Sequence, residues 1–130
     1  MPIKPIPKKR KKLPKISTLR NKADKLYQEA GRKLYDTCLV CPKPMVCLHH
    51  YYTKGSCSAL RYEFDNGIPL CAGCHLKHHT GNPDIQNAIN FAMGDEWLKE
   101  LKIKKREPIK TNREYYNKVI EDLKTYEQNK

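Results

Sequence analysis

The sequence predicts an α+β fold in which a small core rich in cysteine and histidine is flanked by helices. Three observations predict it. Apolar residues recur at helical spacing on both sides of a central segment. That segment, Asp36 to Gly81, holds every cysteine and every histidine of the chain. Within it lies CLHHYYTKG, residues 47 to 55, which reads as extended chain, where neighbouring side chains point to opposite faces. His49 and His50 are therefore expected to do different work.

The elements follow in order. Residues 1–16 alternate proline with lysine and arginine, which discourages helix and strand and predicts a disordered basic arm. Its cluster Lys8, Lys9, Arg10, Lys11 and Lys12 suits a phosphate backbone. The same residues resemble a nuclear import signal, but a nucleic-acid-binding tail presupposes no nucleus and is favoured. Residues 17–35 predict a basic amphipathic helix, with Leu19, Ala23, Leu26, Tyr27, Ala30 and Leu34 on one stripe. Residues 36–83 form the predicted core. Residues 84–130 form a helical extension, in which PDIQNAINFAM, starting at the boundary, and DEWLKELKI are separated by Gly94. Trp97 and the nearby leucines are expected to pack on the core. Thr111 and Glu114 have capping-box spacing ahead of Tyr115, Val119, Ile120, Leu123 and Tyr126. This last helix either covers the core or pairs with another chain, which leaves a homodimer open.

At 130 residues with a mean hydropathy of −0.83, the chain has little apolar mass for a large core. A net charge of +12 and a pI near 9.5 point to a polyanionic partner, above all nucleic acid. Residues 1–33 carry 12 Lys and Arg against 2 acids, a net of +10, so nearly all the surplus is N-terminal. No apolar run follows these charges and none elsewhere is long enough to span a membrane. The expectation is an intracellular, cytoplasmic protein without a membrane partner. In a reducing compartment, paired cysteines more often bind metal than form disulfides.

Cys38-x-x-Cys41 and Cys71-x-x-Cys74 are two knuckles that together offer the four thiolates preferred by structural Zn²⁺. A disulfide pair is the alternative. Cys47 and Cys57 are left over and read as small buried hydrophobes. For a chain with so small a core, bound zinc would supply much of the folding free energy.

The histidines form a second constellation: His49 and His50, then His75, His78 and His79. A helix beginning just after the second knuckle would project His75 and His79 from one face. With one imidazole of the earlier pair they can hold a second cation. Three protein ligands leave positions open for water and a phosphate oxygen, as a catalytic site requires. The other imidazole of the pair is then available as a base.

The order Cys-x-x-Cys, His-His, then DNGIPLCAGCHLKHHTG resembles the HNH endonuclease family. Its ββα-metal (His-Me finger) motif places two strands and a helix around one divalent cation. The stretch HHYYTKGSCSALRYEFDNGIPLCAGC further resembles the phage NinG-type recombination nucleases. The match covers residues 38 to about 83. By this resemblance His50 is the general base and His49 a metal ligand. Asn66 fixes the loop that carries the base, His75 is the terminal histidine of the motif, and His79 is the ligand one helical turn on. His78, with a spacing of three, competes with His79, whose spacing fits the family better. The site is richer in histidine than the family's commoner pattern, which often has Asp at the place of His49 and, in the NinG branch, Asn at the place of His75. Imidazole suits several metals, so the catalytic cation is Mg²⁺ or another divalent ion such as Mn²⁺, Ni²⁺ or Zn²⁺.

The function expected from these residues is metal-dependent hydrolysis of DNA phosphodiester bonds, in phage-type recombination or processing, with duplex or branched DNA as partner. Lys54, Arg61 and Lys77 are close enough in sequence to reach phosphates. The reading from a different class is a non-catalytic, zinc-stabilised nucleic-acid-binding module in which the histidines hold a second structural zinc.

Overall fold

Leu19, Ala23, Leu26, Tyr27 and Ala30 are three or four residues apart, so a helix gathers them on one stripe. In the computed structural model, which describes residues 13–53 and 58–128, they form the buried face of α1 (Ile16–Leu34). The helix starts directly after Lys15, without a side-chain cap, so Ser17 and Thr18 lie inside its first turn. Arg32 and Lys33 in the last turn face the negative end of the helix dipole. The same periodicity in α5 (Arg113–Gln128) buries Tyr116, Ile120 and Leu123 against α1. The capping residue of α5 is Asn112, whose side chain accepts the Tyr115 amide at 2.9 Å, and not the Thr111 that the capping-box spacing suggested. Asn112 is one residue closer to the helix and reaches that amide directly.

Between these helices in chain order lies an antiparallel pair, β1 (Cys47–His50) and β2 (Gly67–Leu70), in the register Cys47 with Leu70, Leu48 with Pro69, His49 with Ile68 and His50 with Gly67. A two-stranded sheet leaves unpaired backbone on both edges. On β1 the Gln28 side chain closes that edge: its Nε2 donates to the Leu48 carbonyl at 2.9 Å and its Oε1 accepts the Leu48 amide at 2.8 Å. Arg32 adds a bond to the Val46 carbonyl. β1 is thus fastened to α1 by side chains acting as a third strand. β2 is buried along its whole length.

A single residue, Cys71, separates β2 from α2 (Ala72–His79). α3 (Pro83–Met93) follows, with Asn82 accepting the Asp84 amide at its start and Pro83 in its first turn. Gly94, at φ +90°, turns the chain into α4 (Asp95–Lys105). α4 is tied to two short 3-10 turns, Ser58–Leu60 and Phe64–Asn66. Leu101 packs on Leu60, Trp97 Nε1 donates to the Asp65 carbonyl at 2.7 Å, and Lys104 pairs with the Asp65 carboxylate at 3.0 Å. The fold is α+β: the described residues form five helices and a two-stranded antiparallel sheet, with α1 packed on β1 and α2 on β2. Among them too, no helix is long and apolar enough to cross a membrane. Lys8, Lys9, Arg10, Lys11, Lys12, Lys54 and Cys57 lie outside the described residues, as does most of the arm expected over 1–16.

Candidate metal centres and the histidine cleft

The two cysteine knuckles are formed by different means. Cys38 and Cys41 sit on a loop closed by the Thr37–Pro44 bridge and by the Cys38 amide donating to the Lys43 carbonyl at 2.9 Å. The Leu39 amide donates to the Pro69 carbonyl at 2.8 Å, which holds that loop against β2. Cys71 caps α2, its sulfur accepting the Cys74 amide at 3.4 Å. Backbone hydrogen bonding of this kind favours a thiolate. Chiefly for that reason the Cys71 thiol is drawn down to about 6, whereas burial pushes Cys74 up to about 12.

The four sulfurs lie within 4.8 Å of one another, with Cys41 and Cys71 at 3.5 Å. All four thiols are free, and three of them are buried. Four thiols this close cannot all ionise without a cation between them, and a tetrahedral thiolate shell is what zinc prefers. The donor set therefore fits a structural Zn²⁺ on Cys38, Cys41, Cys71 and Cys74. Disulfide pairing has no counterpart in these free thiols.

The histidine pair is separated by the pleat of β1. Leu48 and His50 face α1, where the His50 ring stacks on Tyr27 with centroids 5.3 Å apart. Cys47 and His49 face α2 instead. There His49 meets His75 at 4.8 Å, His78 at 4.3 Å and His79 at 5.0 Å between ring centroids. His49, His75 and His79 each offer a ring nitrogen, all within 4.8 Å of one another, a geometry that can hold a metal ion. His78 stands differently. Its Nδ1 is 2.6 Å from His49 Nε2, a hydrogen-bond length, and its own Nε2 is buried without a partner among the described residues. His49 is driven down to about 3, first by burial and then by the surrounding imidazoles, and burial also lowers His75 and His78. The neutral imidazole is the form that ligates metal.

His50 has another anchor. Its Nε2 lies 2.8 Å from the carbonyl oxygen of Arg61. A carbonyl only accepts, so Nε2 carries the proton and Nδ1 is the basic nitrogen. Asn66 stands outside the histidine triad, fully buried. Its Oδ1 accepts the Tyr52 amide at 2.9 Å, while its Nδ2 donates to the carbonyls of Tyr52 at 3.1 Å and Leu60 at 3.3 Å. One side chain thus clamps both ends of the segment that leaves His50 and returns to Arg61.

The cleft over these groups encloses about 270 Å³ and is lined by His49, His50, His75 and His79 together with Gln28, Cys47, Leu48 and Thr53. Cys47 is not the buried hydrophobe its isolation in the sequence suggested. It is half-buried, and its sulfur lies 3.5 Å from His75 Nδ1. The signal was its place two residues before His49, which puts both on one face of a strand. Arg61, expected at a phosphate, is committed elsewhere: its guanidinium makes two bonds to the Asp24 carboxylate, at 2.9 and 2.6 Å. Its contribution to the site is the backbone carbonyl that holds His50. Lys77 is exposed on α2.

Comparison of the chain with family models, with curated proteins and with solved structures gives no match. Its function has to be read from these residues.

Proposed function

We propose that the chain is a metal-dependent DNA endonuclease of the HNH type, with its ββα-metal core formed by β1, β2 and α2. The observation that carries this reading is the division of labour between two adjacent histidines. His49 lies in the cation-holding group with His75 and His79, while His50 lines the same cleft from the other face of the strand, its tautomer set by Arg61.

The residues supply complementary parts of phosphodiester hydrolysis. His50 Nδ1 takes the proton from the attacking water, a task suited to an imidazole near neutral pH. Asn66 holds Tyr52 and Leu60, near neighbours in the chain of His50 and Arg61, so that the base is held before substrate arrives. His49, His75 and His79 would hold the divalent cation, which when bound supplies Lewis-acid stabilisation of charge on the phosphoryl and leaving oxygens. A cleft of about 270 Å³ admits a phosphodiester group and leaves the duplex outside, so binding must come from surrounding surfaces. The net charge of +12, of which residues 1–33 carry +10, provides for that. The family resemblance implies 5′-phosphate and 3′-hydroxyl ends, and its phage branch suggests branched DNA.

The test is cleavage of supercoiled plasmid, linear duplex and a four-way junction with Mg²⁺, Mn²⁺, Ni²⁺ or chelator, comparing wild type with His50→Ala. Cation-dependent nicking that the variant lacks is the expected result. Binding without cleavage under every condition would favour the zinc-stabilised binding module instead.

A further inference from the structure

Helix α4 has two faces with different work. Trp97, Leu101 and Lys104, spaced as i, i+4 and i+7, dock the helix on the turns around Leu60 and Asp65. Lys102 and Lys105, spaced as i and i+3, fall on another face together with Arg106, which caps the helix, and all three are exposed. Cations in a last helical turn are ordinarily explained by the helix dipole, and then extend into solvent. These three instead converge on Tyr52, with which they line a cleft of about 390 Å³, the Lys105 ammonium lying 4.3 Å from the centre of the Tyr52 ring.

The position of Tyr52 gives this cleft its meaning. Tyr52 is two residues from His50, and both of its backbone groups are bonded by Asn66. The next residue, Thr53, lines the histidine cleft. Two consecutive residues therefore border two adjoining clefts, one carrying imidazoles and the other cations. Because α4 is fastened to the same turns by Trp97, Leu101 and Lys104, the cations are held at a fixed offset from His50.

We propose that Lys102, Lys105, Arg106 and Tyr52 form a binding surface for the phosphate backbone of the DNA strand flanking the scissile bond. The proposal rests on the nuclease reading for what lies in the neighbouring cleft. Its chemistry is that of three cations and an aromatic ring, which together suit phosphates with an adjoining sugar or base.

The experiment measures binding of a fluorescently labelled DNA duplex to the full-length, zinc-loaded chain by anisotropy. It is done over a range of salt concentrations with no other divalent cation, so that cleavage plays no part. The triple variant Lys102→Gln, Lys105→Gln, Arg106→Gln is compared with Lys22→Gln, Lys25→Gln, Lys110→Gln, which removes the same charge elsewhere. If three phosphate contacts are lost, the logarithmic salt slope falls by roughly 2 to 3 and affinity near 0.15 M salt drops on the order of 100-fold relative to the control. Equal slopes and affinities for the two variants would overturn the α4 surface while leaving the nuclease reading intact. Failure of the wild-type chain to bind DNA would overturn both. Circular dichroism and zinc content, expected unchanged at these exposed positions, establish that each variant is folded.

Discussion

His50 Nε2 donates a hydrogen bond to the backbone carbonyl of Arg61, 2.8 Å away across the loop that Asn66 clamps. The bond is to backbone, so no side-chain substitution at Arg61 removes the acceptor. The tautomer of His50 depends on the path of the chain, and that path depends on Asn66.

On the proposed nuclease reading, replacing His50 by Ala is expected to lower cleavage by about 10²- to 10⁴-fold, the usual contribution of a positioned general base. DNA affinity and zinc content should stay at wild-type levels, because His50 belongs neither to the four-cysteine group nor to the lining of the α4 cleft. Single-turnover cleavage beside metal analysis checks this. A variant that loses zinc or its thermal transition would show that the stacking of His50 on Tyr27 is what matters.

Cys71 both contributes to the thiol cluster and caps the helix that carries His75 and His79. Structural zinc typically contributes about 10–16 kcal/mol of apparent binding free energy, against about 5–15 kcal/mol for the whole stability of a domain. Chelation, or Cys71→Ser, is therefore expected to abolish the cooperative thermal transition followed by circular dichroism. A Cys71→Ser chain that still melts cooperatively would mean that apolar packing alone holds α2.

Gly31 lies on the buried side of α1, where an added Cβ would overlap the Leu48 side chain of β1. Helix propensity favours Gly31→Ala by about 1 kcal/mol, whereas overpacking a tight core costs about 1–3 kcal/mol. Leu48 is 2% exposed and its backbone is held by Gln28, so it has little room to give way. The expected net effect is a loss of up to about 2 kcal/mol, read as a lower urea midpoint of the zinc-loaded protein. A raised midpoint would show that α1 and β1 can separate.

Local signals account for much of this structure. Helical spacing marked the buried face of α1 from Leu19 to Ala30, though Leu34 on the same stripe is exposed; Gly94 marked the joint between α3 and α4, and two CxxC pairs named the four cysteines that come together. The grouping of His49, His75 and His79 followed from a helix that carries His75 and His79, although that helix starts at Ala72, inside the second knuckle and not after it. What sequence could not give depended on contacts between distant segments. The bond from Asp24 to Arg61 spans 37 residues, and nothing near Arg61 marks its guanidinium as already engaged. The meeting of Tyr52 with Lys102 and Lys105 likewise depends on how α4 docks, which local periodicity does not specify. The hydrogen bond between His49 and His78 joins a strand to a helix, and spacing alone left His78 and His79 as competitors.

Cys47 provides the last expectation. A metal-ligating histidine ordinarily donates its second ring N–H to a neighbouring acceptor, which orients the ring and raises its basicity. Beside His75 Nδ1 the neighbour is the Cys47 sulfur, 3.5 Å away, on the strand face that also carries His49. Burial raises the Cys47 thiol, so it remains protonated near neutral pH and its sulfur serves as a weak acceptor for the His75 N–H. Cys47→Ala should leave the four-cysteine zinc in place and weaken Mn²⁺ binding at the histidines by about 10- to 100-fold, the usual effect of removing such a partner. Titration calorimetry of the zinc-loaded chain measures this without reference to cleavage. Cys47→Ser, which retains a polar hydrogen-bonding atom, should recover part of the affinity. Equal Mn²⁺ affinity in wild type and Cys47→Ala would show that His75 is oriented by α2 alone.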